Sequence, residues 1–157
     1  MPDMCKLLDE VEKKLYIQGL AYVLGMNKRD PKQKKEYLLA QMAETGLSES
    51  EYKKIKCNCK TDALIKDLEQ ITDIRAKRYI LREMILLAVA DHELQDEEVE
   101  DLHKIGKGMG ISEEKINDFF IWAARGIEWQ LEGIKLVEEE ETTKGGLILS
   151  GSAKEKP

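Results

Sequence analysis

Laid over itself with a shift of 64 residues, the chain repeats its own plan. "TGLSESEYKKI" at 45–55 falls on "MGISEEKINDF" at 109–119, so Gly46 meets Gly110, Leu47 meets Ile111 and Ser48 meets Ser112. The same shift lays "LGMNKRDPKQKKEYL" at 24–38 over "AVADHELQDEEVEDL" at 88–102, with Glu36 on Glu100 and Leu38 on Leu102. A helical hairpin cannot bury its apolar face alone, so a duplicated hairpin constrains the fold: each copy needs the other. The expectation is all-α, a compact bundle of about seven helices built from two pseudo-symmetric helical-hairpin repeats, over about 4–58 and about 61–140.

Apolar spacing supports the same reading along the chain. Met4, Leu7, Leu8, Val11, Leu15, Leu20, Val23 and Leu24 recur at intervals near three and four, which predicts a first helix over about 4–26. Asp30 and Pro31 suit the cap and first position of a second helix carrying Tyr37, Leu38 and Met42. Ser48 and Glu51 stand in capping-box register for a short third helix, Thr61 or Asp62 opens a fourth, and Asp73 caps a fifth through Ala88. A sixth ends at "GKGMG". The seventh starts at Ser112 and carries Ile116, Phe119, Phe120, Ala123, Ile127 and Leu131. Trp122 and Trp129, seven apart on one face, are expected to pack in the core. No segment alternates with period two for long, so strands have no claim.

The helical domain is expected to span 1–140, and "TTKGGLILSGSAKEKP" within 141–157 to be a mobile tail whose "LIL" offers a docking peptide. A formal charge of −6 with 36% charged residues disfavours a nucleic-acid partner, which wants a basic surface. No apolar run reaches membrane-spanning length, and "MPDMCKLLDEVEKK" puts acids where a secretory leader has bases, which predicts a cytoplasmic protein. Three cysteines, Cys5, Cys57 and Cys59, read as reduced thiols; the Cys57–Cys59 pair lacks the second pair a zinc site needs.

Charge separates the halves. "ADHELQDEEVED" at 90–101 holds seven carboxylates, whereas the matching stretch of the first half offers Lys28, Arg29, Lys32, Lys34 and Lys35. At equivalent positions Asn27 stands for Asp91 and Lys34 for Glu98. Two readings of the acids are open. In one, Gln95 and Glu98 form a capping box and the remaining acids sit where the helix dipole favours them, at about 0.3–1 kcal/mol each. That account leaves Asp91 unexplained, since a carboxylate at a helix C-terminus is on the wrong side of the dipole. In the other, Asp91 and Glu98 converge with Glu93 and Glu97 on a hard divalent cation, calcium or another, which takes six or more oxygens. A calcium-hand loop is excluded, because counting from Asp91 its sixth position is Asp96 instead of Gly and its twelfth is Leu102 instead of Glu.

"LAVADHELQDEEVEDLHKIGKGMGIS" resembles the tellurite-resistance TerB-like family, whose repeats carry an apolar helix, Ala-Asp-Gly, a hydrophobe shortly after and a Glu seven residues beyond the Asp. Those positions here are Ala90, Asp91, Leu94 and Glu98. His92 stands in place of the family's Gly, and the first half has neither acid. The resemblance covers roughly residues 1–135. It implies a pseudo-symmetric helical bundle, an acidic cation-binding junction, a role in metal or stress response and membrane-associated partners, with no catalysis. Asp91 and Glu98 carry over as the expected metal ligands.

Other candidates are weaker. His92 reads as an exposed turn residue that tolerates a left-handed backbone, and His103 as a partly buried packing residue. The five cations at 28–35 are a candidate docking patch for an acidic protein partner or an anionic membrane surface, against a solvated face. No nucleophile–base order, phosphate loop or dinucleotide fingerprint is present, so an enzyme is not expected. The alternative to a cation-binding module is a metal-free protein-interaction adaptor.

Overall fold

A computed structural model of the chain describes residues 8–26, 32–56 and 60–139. Among them are seven helices and no strand: α1 (Glu10–Met26), α2 (Lys32–Thr45), α3 (Glu49–Lys56), α4 (Thr61–Leu68), α5 (Ile74–Ala88), α6 (Asp96–Gly108) and α7 (Glu113–Glu138). The all-α expectation holds. The calls on Met4 and Leu7, Asp30 and Pro31, Lys28 and Arg29, Cys57 and Cys59, and the tail 141–157 lie outside the described residues.

Local chemistry fixes most starts. Ser48 Oγ accepts the Glu51 amide at 3.3 Å and Glu51 Oε1 accepts the Ser48 amide at 3.5 Å, which is the capping box read from the sequence. Asp73 caps α5 through the Arg75 amide at 2.9 Å, and Ser112 caps α7 through the Lys115 amide at 3.2 Å. The first helix was expected from residue 4 and instead begins at Glu10. A reciprocal pair sets that start, Asp9 Oδ1 accepting from the Glu12 amide at 2.8 Å and Glu12 Oε1 from the Asp9 amide at 3.0 Å. The apolar stripe drawn from Met4 ran straight over this cap.

The starts of α1, α2 and α3 recur 64 residues later as the starts of α5, α6 and α7. Two turns repeat as well, with Gly46 and Gly110 both left-handed at φ 75° and 88°, the conformation glycine enters without a Cβ penalty. α1 packs against α2, α3, α4 and α5; α5 also meets α2 and α6, and α4 meets α6. The central pair is buried on most sides. Tyr16, Ile17, Leu20 and Val23 of α1, with Ile80, Leu81, Met84, Ile85 and Leu87 of α5, have no exposed surface, each aliphatic contributing about 1.5–3 kcal/mol by leaving water. Close approach is made at Gly19, where a Cβ would stand 2.9 Å from Met84 Sδ.

The chain divides into two units, residues 1–127 and 128–157. Ile116 and Ala123 bury the early part of α7, and His103 stacks on Phe120 at 4.9 Å, a packing place as read from the sequence. In the second unit Trp129 is 72%, Leu136 72% and Val137 86% exposed. Trp122 is 45% exposed and Leu131 47%, so the expectation of core tryptophans is corrected. Periodicity marks an apolar face but cannot say whether a neighbour covers it.

Candidate functional site

The junction between α5 and α6 is built from the backbone outward. The Val89 amide donates to the Ile85 carbonyl at 3.0 Å, Ala90 to Leu87 at 3.2 Å and His92 to Val89 at 2.8 Å, which winds the helix down. His92 is left-handed at φ 65°, a backbone that histidine was expected to tolerate here, and it is half-buried rather than exposed. Asp91 then turns back on the chain: its Oδ1 accepts the Glu93 amide at 3.2 Å, as Asp side chains do two residues on. Glu98 Oε1 accepts the Gln95 amide at 3.1 Å, an arm of the capping box that opens α6.

Each carboxylate therefore spends one oxygen on a backbone amide. The other oxygens converge on an ammonium. Lys34 Nζ, arriving from α2, lies 3.1 Å from Glu98 Oε2 and 4.0 Å from Asp91 Oδ2. Lys34 is 1% exposed, Glu98 3% and Asp91 20%. An ionised group taken that far from water loses several kcal/mol of hydration, and the opposite charge with its hydrogen bond offsets this. Asp91 and Glu98 are brought together as the sequence suggested, but the positive charge between them belongs to the chain.

This arrangement does not fit a hard divalent cation. Such an ion wants six or more oxygens, and Asp91 and Glu98 together offer four, two of them also accepting amides. A dication at ~4 Å from the ammonium would be repelled by about 8 kcal/mol at an effective dielectric of about 20, twice the figure for two unit charges. Glu93 and Glu97, expected as neighbouring ligands, are exposed. Among the described residues no group of three or more His, Cys, Asp or Glu side chains is placed to hold a metal ion.

The docking patch read at 28–35 is also corrected in part. Lys34 faces inward and is committed to Glu98, because the carboxylate supplies in the interior what water supplies outside. Lys32 and Lys35 are exposed. Sequence reasoning overlooked the pairing although the signal was in view: a base and an acid occupy matching places in the two halves.

A second buried polar group was not read at all. Glu83 of α5, 5% exposed, accepts from the Tyr37 hydroxyl at 2.8 Å and from Arg82 Nε at 3.0 Å, while the Tyr16 hydroxyl donates to Gln41 Oε1 at 2.7 Å. Burial, reinforced by the Glu83 charge, pushes the Tyr16 and Tyr37 phenols far above their ordinary range. The group ties α1, α2 and α5 together. Beside the acid junction a cleft of about 1150 Å³ is lined by Tyr22, Thr61, Asp62, Glu97 and Lys104, and Lys104 pairs with Asp62 across it at 3.4 Å.

Among the described residues no helix is long and apolar enough to cross a membrane. Comparison of the chain with family models, curated proteins and solved structures finds no match.

Proposed function

We propose that the chain is a non-enzymatic helical interaction module, a metal-free adaptor whose docking element is the segment 128–139. One observation carries the reading. At 100° per residue, Leu136, Trp129, Gly133 and Val137 share an arc of roughly 100°, and the three large side chains on it are the most exposed apolar groups of the segment. Space around the Gly133 Cβ position is open, so a helix can lie close there. One flank is acidic, with Glu128, Glu132 and Glu139 against Lys135, and the other carries Gln130 and Ile134. The partner that fits is an amphipathic helix with an apolar face and a basic flank, seated as helix faces seat in one another.

The TerB-like resemblance belongs to this reading as ancestry. What supports it is the 64-residue recurrence of helix starts, which we take as a duplicated hairpin, and the left-handed residue after Asp91. A cytoplasmic location and a membrane-associated partner belong to the same proposal. A cation-binding role has the convergence of Asp91 and Glu98 in its favour and the ammonium of Lys34 against it.

The test uses a Trp122→Phe variant, in which Trp129 is the sole indole. Titration with a Leu-faced, Lys-flanked helical peptide is expected to shift its fluorescence to the blue, and a Glu-flanked peptide with the same apolar face to do so far less. Equal shifts with both peptides, or none with either, would sink the proposal. Sedimentation at each concentration separates peptide binding from self-association.

A further inference from the structure

The structure assigns to Lys34 the part of a resident cation: we propose that the Asp91–Glu98 junction is a cation site whose positive charge is covalently attached, closed permanently instead of on demand by a metal. Three observations carry it. The ammonium stands where an ion shared by the two carboxylates would stand, 3.1 Å from one and 4.0 Å from the other. It is carried on α2, whereas the acids come from the α5–α6 junction, so the contact fastens one hairpin to the other. Lys34 and Glu98 are 64 residues apart, the interval at which the helix starts recur, so charge reversal at a single equivalent position supplies both halves of the pair.

A metal-operated junction changes state when the ion leaves. A lysine cannot leave, and its three donors hold one geometry at all calcium concentrations. The consequence is a module that is constitutively ordered at its acidic turn. Putting a neutral amide with a carbonyl oxygen in place of the ammonium, as Lys34→Gln does, takes that positive charge from beside two carboxylates in a poorly solvated place. An added dication then relieves their repulsion and is no longer repelled.

The experiment is a calcium titration of the native chain, of Lys34→Gln and of Lys34→Arg, by calorimetry and thermal melting in chelator-treated buffer. The native and Lys34→Arg proteins are expected to show no calcium-dependent rise in melting temperature. Lys34→Gln is expected to bind calcium about tenfold or more tighter than native and to lose that gain when Asp91→Asn is added. If Lys34→Gln is unfolded without metal, calcium is expected to restore its helical circular dichroism. Calcium binding by the native protein that Asp91→Asn abolishes overturns the proposal. So does a Lys34→Gln protein that calcium neither binds nor refolds.

Discussion

The Lys34 ammonium donates to Glu98 Oε2 across 3.1 Å, and both side chains are shut away from solvent at 1% and 3% exposure. That contact joins α2 to the first turn of α6, while the other Glu98 oxygen holds the Gln95 amide. A carboxylate that caps a helix and also neutralises a buried lysine cannot be replaced by Gln or Asp without losing one of those tasks. The junction is better understood as an internal ion pair than as a row of solvated acids.

The turn before it makes a prediction about the backbone. His92 is left-handed at φ 65°, where a β-branched side chain is strained and glycine is not. His92→Gly is expected to stay within ~1 kcal/mol of native stability, and His92→Val to fall at least about 1 kcal/mol below His92→Gly. Urea denaturation of the two variants checks the order; equal stabilities would mean that the conformation is not held.

Glycines in α6 and α7 are expected to diverge. A Cβ on Gly106 would lie 2.7 Å from Ile116 Cδ1, and one on Gly108 would run into Ile65. Gly106→Ala should therefore cost about 1–3 kcal/mol by overpacking. Gly126 has open space at its Cβ position, and Gly126→Ala should stabilise by about 0.4–1 kcal/mol through the unfolded chain. The comparison is read from two melting curves, and a stabilising Gly106→Ala would contradict the close packing of α6 on α7 there.

Alkaline stability follows from the buried phenols. Tyr16 and Tyr37 ionise less readily folded than unfolded, because burial and then the Glu83 charge oppose the phenolate. The folded state therefore holds more protons than the unfolded state once pH passes the ordinary tyrosine value of about 10, and stability falls from there upward. Below that value their contribution is fully present. Spectrophotometric titration should show fewer than all five tyrosines ionising before the helical signal is lost. Tyr16→Phe should move the alkaline loss to higher pH; five phenols titrating together in the folded chain would refute this.

How much was legible depended on range. Ser48, Asp73 and Ser112 were readable as caps because the partner amide lies two or three residues away. Tyr37 with Glu83, 46 residues apart, left no local trace. Lys34 sat among four other cations, so its neighbours argued for a solvated or docking face and nothing nearby announced burial. The aromatic stripe of α7 misled for the opposite reason: its pattern is that of a covered face, and the cover is not supplied within 128–139. At the acid junction Asp91 and Glu98 stand seven apart in the sequence and could be read together, whereas Lys34, which lies within 4.0 Å of both, comes from the other half of the chain.

Lys34 and Glu98, 3.1 Å apart and both buried, stabilise the fold only as a pair. Guanidinium denaturation of Lys34→Met, Glu98→Leu and the combined variant measures this directly. Each single change is expected to cost about 3–5 kcal/mol by taking its nearest opposite charge from a buried group, while the double variant costs far less than their sum. Single losses below ~1 kcal/mol, or a double variant whose loss is simply additive, would contradict it.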